Sequence, residues 1–275
     1  MRKPYILLLS MVLFLLLAPV LWCKDVNLKS LWRKSEIMVD GKESEWSGSI
    51  YYLEEQKIGL GLQNDSANLY LVVKATDRNT QLQIMRRGLT VWLDAKGKKN
   101  KTLGIHYPIG MQEYGIPDVK ANSNTEFASE QKNRFVEMLR EIEVLGPEKN
   151  DRNRIGRVNN FGIEASLNDT LGVMIYALKI PLRSTNEYPY AISADPGSAI
   201  SVGLEAGKFN REMMRDRMRM RGGMPGGEGG MPPGGMTPGE SEHSEGTPPG
   251  GRERGKMPEP IDFWAKVSLA KVTGD

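Results

Sequence analysis

Soft metal ligands are the most concentrated chemical feature of this chain. Residues 207–260 contain eight of the 15 methionines, and Met218, Met220 and Met224 lie close together within that stretch. Thioether sulfurs of this kind suit Cu(I). Arginines interleave with them and would repel a cation, namely Arg215, Arg217, Arg219 and Arg221. A copper site is therefore one hypothesis for this stretch, and a solvated low-complexity loop is the other.

Histidine, cysteine and carboxylate chemistry is sparse. The chain has two histidines, His106 and His243, and a single cysteine, Cys23, too few for a zinc site or a histidine-dependent triad. A hydrolase needs two carboxylates across a cleft. The spacing pairs none of the candidates, which are Glu43, Glu45, Asp94 and Asp118. We therefore expect no enzymatic activity, and the net charge of +3 gives no indication of a nucleic-acid partner.

The elements that must position these residues are mostly strands. Apolar residues alternate with period two in 58–62, 69–75, 89–94, 171–182 and 261–272. The absence of a βαβ rhythm predicts an all-β fold, an antiparallel β-sandwich of jelly-roll or immunoglobulin-like type. A possible capping box at Ser123 and Glu126 predicts one inserted helix over 125–140, although 141–144 also alternates like the start of a strand. The basic loop 95–101 is predicted to close a hairpin.

The Gly-, Met- and Pro-rich stretch 207–260 interrupts this pattern. It has almost no branched apolar residues, so it cannot bury enough surface to offset its conformational entropy, and we predict that it is disordered. Because 261–272 again alternates like a strand, the stretch is predicted to be an insertion before the last strand. The predicted sandwich domain comprises residues 35–206 plus 261–273.

Residues 1–23 form an export signal or membrane anchor in our interpretation. Arg2 and Lys3 precede an apolar run over 5–22, which is the pattern of a signal peptide and is nearly long enough to span a bilayer. Cys23 stands where a lipidated cysteine would, but Trp22 replaces the small residue expected before it. We predict an exported protein of the periplasm, outer membrane or cell surface of a bacterium, in contact with the membrane only through this segment.

Four motifs within and around these strands are distinctive. They are Val39-Asp40-Gly41 through Glu45-Trp46, Leu69 to Val73 with Asp77, Val91-Trp92-Leu93-Asp94, and Tyr176 through Ile180-Pro181-Leu182. Together they resemble family 9 carbohydrate-binding modules and their DOMON-type relatives. The resemblance covers most of 35–205 and the last strand, and it implies a β-sandwich used for binding. One departure is Ala177, where the late strand of that group often carries Glu after its Tyr.

The resemblance also implies that aromatic faces hold a sugar. Trp92 and Trp264 are our candidates, because the alternation places both opposite the apolar residues of their strands. The alternative is that a loop or helix covers each ring, and Trp46 is expected to be structural. Some relatives carry structural calcium, for which we name no ligands. Others bind haem through His and Met, which would involve His106 with Met85 or Met111.

The sequence therefore predicts an exported, non-catalytic binding protein whose ligand is a polysaccharide or other glycan. One alternative is a structural or protein-interaction module of the cell envelope, with a protein partner and no sugar site. Another is a copper-handling protein that acts through Met218, Met220 and Met224.

Overall fold

The alternating segments form two stacked β-sheets, which confirms the predicted β-sandwich. The computed structural model describes residues 26–46, 48–114, 133–148, 150–206 and 260–272. Among these residues no helix is long and apolar enough to span a bilayer. The predicted export segment 1–23 and most of the predicted insertion, 207–259, lie outside the described residues.

The first sheet has seven strands in the order β1-β13-β12-β6-β7-β8-β9. All its neighbours are antiparallel except β1, which runs parallel to β13. Its strands are β1 (Val26–Lys29), β13 (Ile261–Ser268), β12 (Ala199–Ala206), β6 (Thr90–Asp94), β7 (Leu103–His106), β8 (Glu141–Leu145) and β9 (Arg152–Gly156).

The second sheet has six strands, in the order β10-β11-β5-β4-β2, with β3 also paired to β4. It is antiparallel apart from the parallel β2–β4 pair. Its strands are β10 (Glu164–Thr170), β11 (Val173–Pro181), β5 (Asn68–Ala75), β4 (Ile58–Asn64), β2 (Leu31–Trp32) and β3 (Ile50–Leu53). Strands β1 and β2 precede residue 35, so the sandwich begins earlier than the predicted domain start.

One apolar core fills the space between the sheets. The first sheet contributes alternate residues such as Val91, Leu93 and Ile105, and the second contributes residues such as Leu60 and Leu71, all at most 1% exposed. Burial of this kind is the main favourable contribution to folding. The outward residues of the same strands are therefore free to serve other purposes.

The outer face of the second sheet is covered by the chain that precedes β3. Trp46, in a short 3-10 helix (Ser44–Trp46), is 1% exposed and packs with Ile37, Tyr70 and Val72. A Cβ on Gly61 would lie 3.0 Å from Cε3 of Trp46, so the glycine makes room for the indole. The structural role predicted for Trp46 is confirmed.

The helices differ from the prediction in two respects. Of the predicted helix 125–140, residues 133–138 are helical, and 125–132 lie outside the described residues. The helix ends at residue 138, and the strand alternative for 141–144 is confirmed, because β8 buries Ile142 and Val144 in the core. A helix that the sequence analysis did not predict, α1 (Arg78–Arg87), follows β5; the carboxylate of Asp77 caps it by accepting the N–H of Thr80 at 3.0 Å.

Asp94 organises the basic loop 95–101, which joins β6 to β7 as predicted. Its carboxylate is fully buried and accepts the backbone N–H groups of Lys96, Lys98 and Asn100 at 2.9, 2.9 and 3.0 Å. Burial alone would raise the pKa of Asp94, but these three donors outweigh it and hold the pKa below its ordinary value. The loop therefore depends on an ionised Asp94.

Replacing Asp94 with Asn is expected to lower the free energy of unfolding at pH 7 by about 1.5–3 kcal/mol, the range for hydrogen bonds to a charged group. Since the folded-state pKa is depressed, the carboxylate's contribution is fully present above about pH 4 and is lost as the pH falls through the folded pKa. Urea unfolding at several pH values should show the difference between wild type and variant shrinking in acid. The exposed Asp169→Asn serves as control; a difference for Asp94→Asn that does not vary with pH would contradict the assignment.

Candidate functional site

Two tryptophans lie on the outer face of the first sheet, in one row across four strands. The strand register aligns Trp264 of β13 with Gly203 of β12, Gly203 with Trp92 of β6, and Trp92 with Gly104 of β7. Trp92 and Trp264 therefore share the outer face, as the alternation predicts. Each is followed in the row by a glycine, so no side chain stands between the two tryptophans in this row.

Each indole lies over the glycine of the neighbouring strand. A Cβ on Gly203 would come within 2.7–2.8 Å of Cε2, Cδ2 and Cζ2 of Trp264. A Cβ on Gly104 would come within 2.7–3.0 Å of Cζ3, Cε3 and Cη2 of Trp92. Distances this short exclude any larger residue unless the ring moves, so glycine at both positions is what allows the indoles to lie low on the sheet.

Trp92 is held more firmly than Trp264. Its Nε1 donates a hydrogen bond to Oε2 of Glu205 at 2.9 Å, and Nζ of Lys101 lies 5.0 Å from its ring centroid, in a cation–π contact. Lys101 also forms an ion pair with Glu205. Trp92 is consequently only 9% exposed, whereas Trp264 is half-buried and retains accessible ring surface. The alternative that a loop covers the ring thus applies in large part to Trp92.

A second group of side chains lies on the same face of the first sheet, in a row that begins at Thr90 of β6 and crosses β7, β8 and β9. Across β6, β7, β8 and β9 the register aligns Thr90, His106, Glu143 and Arg154. One ligand atom from each of His106, Glu143 and Glu113, the last from the turn after β7, lies within 4.8 Å of the other two. We call these three residues with Arg152 and Arg154 the charged cluster.

Ion pairs bind the charged cluster together. Arg154 Nε lies 3.3 Å from Oε1 of Glu143 and Arg154 Nη2 lies 3.5 Å from Oε1 of Glu113, while Arg152 approaches the same two carboxylates at 3.1 and 3.6 Å. Burial would lower the pKa of Arg154, but the hydrogen bond with Glu143 and the charges of Glu143 and Glu113 outweigh it and raise the pKa. The cluster joins the turn after β7 to strands β8 and β9.

His106 is enclosed by neighbours within the protein. Its Nε2 lies 2.9 Å from the carbonyl oxygen of Ile109, which can only accept, so Nε2 carries the hydrogen. Nδ1 then accepts from Oγ1 of Thr90 at 2.6 Å. Both nitrogens are occupied in this tautomer, so a haem iron, as the haem hypothesis with Met85 or Met111 requires, would have to displace one of these two hydrogen bonds.

The other carboxylates considered in the sequence do not converge on one site. Glu43 forms an ion pair with Lys74 at 2.7 Å, Glu45 accepts the N–H of Met38 at 3.1 Å, and Asp94 holds its loop. Asp118 and the proposed copper ligands, Met218, Met220 and Met224, lie outside the described residues.

Comparisons with known proteins give one kind of match. No protein-family model matches the chain, and no curated protein is significantly similar to it in sequence. Among solved structures, a family 9 carbohydrate-binding module from Caldicellulosiruptor kristjanssonii in complex with glucose aligns with 68% of this chain and 80% of that chain, at 8% identity and a TM-score of 0.33. A second such structure, in complex with cellotriose, aligns with 68% and 78%, at 9% identity and a TM-score of 0.32.

Both structures belong to the family that the sequence motifs resemble.

Replacing Gly104 with Ala is expected to destabilise the protein by about 1–3 kcal/mol, the usual cost of overpacking, because the hydrogen bond to Glu205 restrains Trp92. Gly203→Ala should cost less, because the half-buried Trp264 can swing towards solvent. Urea unfolding measures the two costs. Acrylamide quenching should report greater Trp exposure in Gly203→Ala, and equal effects of the two variants would contradict this difference in restraint.

Proposed function

We propose that the protein is an exported, non-catalytic carbohydrate-binding protein whose sugar-contacting surface is the outer face of the first sheet around Trp264 and Trp92. We call this surface the aromatic platform. The observation that carries the proposal is the row of Trp264, Gly203, Trp92 and Gly104, in which no side chain stands between the half-buried Trp264 and Trp92.

The chemistry of the platform suits a sugar ring. A pyranose has an apolar face that packs on an aromatic ring, and hydroxyls around its edge that need polar partners. Charged side chains flank the indoles on the same face: Lys101 and Glu205 beside Trp92, and Asp262 and Lys266 on either side of Trp264 along β13. Hydrogen bonds to charged groups are stronger than those between neutral ones. These four flanking side chains form a polar rim around the indoles. Hydrogen bonds from the rim can fix the orientation of a sugar, which stacking alone does not.

The two rings have different roles in this proposal. Trp264, which is half-buried, provides the more accessible stacking surface. Trp92 lies deeper, and its bond to Glu205 fixes one of the rim carboxylates in place. Strands β6 and β13 are two strand spacings apart, or about 10 Å, so a ligand touching both rings would extend across the sheet. This geometry favours a polysaccharide chain over a free monosaccharide.

The proposal also includes that the protein has no enzymatic activity and that it is exported. Glu43 and Glu45 are engaged on the other sheet, and Asp94, although only two residues from Trp92, is fully buried and accepts the backbone N–H groups of its own loop. None of the three is therefore free to act on a bound sugar. The basic and apolar pattern of residues 1–23 supports delivery outside the cytoplasm, where polysaccharides are found.

A second candidate function is a structural or protein-interaction module of the envelope. The low exposure of Trp92 and the cation–π contact of Lys101 favour it, because an indole that covers a strand glycine stabilises a sheet without any ligand. The hypothesis of copper handling through Met218, Met220 and Met224 remains a prediction from the sequence.

Trp264→Ala is expected to abolish retardation of the protein in affinity electrophoresis through a panel of soluble neutral and acidic polysaccharides, since it removes the more accessible stacking surface. Trp32→Ala is the matched control: Trp32 is also partly exposed but lies in β2 of the other sheet, and its variant should migrate as the wild type does. Circular dichroism establishes that both variants are folded.

Two outcomes would count against the platform. Retardation that survives in Trp264→Ala would place carbohydrate binding elsewhere on the protein. If the wild type is not retarded by any polysaccharide, the interaction module is favoured, and cross-linking from position 264 would then be used to identify a protein partner.

A further inference from the structure

The charged cluster is not needed by the aromatic platform, and its composition suggests chemistry of its own. We propose that His106, Glu113 and Glu143 form a binding site for a divalent transition-metal ion of the Zn²⁺ type. One nitrogen and two carboxylate oxygens form a ligand set common to such ions, and here carboxylates take the place of the histidine and cysteine partners whose small number led us to expect no zinc site. This proposal is independent of carbohydrate binding.

The ligand atoms are already close together. One atom from each of the three side chains lies within 4.8 Å of the other two, and His106 Nε2 lies 3.9 Å from Oε2 of Glu113. Ligands of a tetrahedral zinc ion at its usual bond lengths lie about 3.4 Å apart. Small movements of these side chains reach that spacing, and the Ile109 carbonyl, now 2.9 Å from Nε2, has to turn aside with the turn after β7 to admit the ion.

Glu143 gives a second, independent indication of a ligand. Its side chain is only 3% exposed, and its Oε2 accepts no hydrogen bond, although Nη2 of Arg152 lies 3.1 Å away. The ion pair with Arg152 offsets part of the cost of burying this oxygen, but it leaves Oε2 without a hydrogen-bond donor. Coordination to a cation would satisfy it, while Oε1 keeps its contact with Arg154.

His106 can be converted into a ligand without losing a proton to solvent. Its Nε2–H now donates to the Ile109 carbonyl, and its Nδ1 accepts from Thr90. Moving the proton from Nε2 to Nδ1 frees the Nε2 lone pair for the metal, and Nδ1–H then donates to Oγ1 of Thr90. A hydrogen bond from the second ring nitrogen is the usual support of a metal-bound histidine. Thr90 is thus the positioning residue of the site.

The arginines do not prevent a cation from binding. Glu113, Glu141 and Glu143 provide three negative charges against the two positive charges of Arg152 and Arg154, which leaves a net charge of −1 in this ion-pair network with His106 neutral. The Arg152 and Arg154 side chains are 49% and 45% exposed. Both can therefore swing outwards and stay paired with the outer carboxylate oxygens.

The histidine also selects the class of metal. Calcium prefers six to eight oxygen ligands, whereas imidazole suits zinc and other late transition metals. This site therefore does not supply the structural calcium that the family resemblance allows.

The test uses the full-length protein, stripped of metal with a chelator and titrated with Zn²⁺ by calorimetry and with Co²⁺ by visible absorption. We expect a single saturable site in the wild type. Glu113→Gln should weaken Zn²⁺ binding at least tenfold and His106→Ala should abolish it. Thr90→Val, which keeps the side-chain shape but removes the acceptor for Nδ1–H, should weaken it about 10–100-fold. The Co²⁺ spectrum should change with each of these variants.

Controls separate this site from other metal ligands of the chain. His243→Ala and Cys23→Ser, which change the other histidine and the only cysteine, should bind as the wild type does. Glu113 lies in a surface turn, and its ion pairs with Arg152 and Arg154 are part-exposed and contribute little to stability. Glu113→Gln should therefore melt close to the metal-free wild type, and it stays informative even if His106→Ala does not fold. Absence of saturable binding, or wild-type affinity in Glu113→Gln and Thr90→Val, would overturn the proposal.

Discussion

Close packing of a tryptophan on a strand glycine is the interaction on which both outer faces of this sandwich depend. Trp46 lies against Gly61, Trp92 over Gly104 and Trp264 over Gly203. A glycine weakens a strand because it has no side chain to pack, and a neighbouring indole restores the lost contacts. The arrangement also constrains the sequence, since a side chain on any of these glycines would displace the ring that covers it.

The same interaction has different consequences on the two sheets. On the second sheet the chain before β3 runs over the strands and seals Trp46 at 1% exposure, so that face serves stability. On the first sheet no described segment seals the region around Trp264 in this way, and its ring remains partly accessible. Binding chemistry is therefore concentrated on the first sheet, which also presents the charged cluster.

The sequence was most informative where one side of a strand faces the core. Period-two alternation predicted the sandwich and placed Trp92 and Trp264 on the outer side. Helix α1 was missed because it is mostly polar, although Asp77 before it and Gly88 after it are the usual residues at helix ends. Strand β9 contains a single apolar residue, Ile155, so it shows no alternation. Glu113 and Glu143 could not be associated with His106 from sequence, because their proximity depends on the β7–β8 register and on the turn after β7.

The aromatic platform and the charged cluster share strands β6 and β7, yet they are mechanically separable. Thr90 bonds to His106 on one side of the row, whereas Trp92, two residues further along β6, bonds to Glu205 of β12. Backbone hydrogen bonds to both neighbouring strands fix β6, so closing the charged cluster around an ion would move side chains and the turn after β7 rather than the indoles. A metal ion would then stabilise the fold without altering the aromatic platform, because the backbone pairing of β6 is the same with and without the side-chain movements that close the charged cluster.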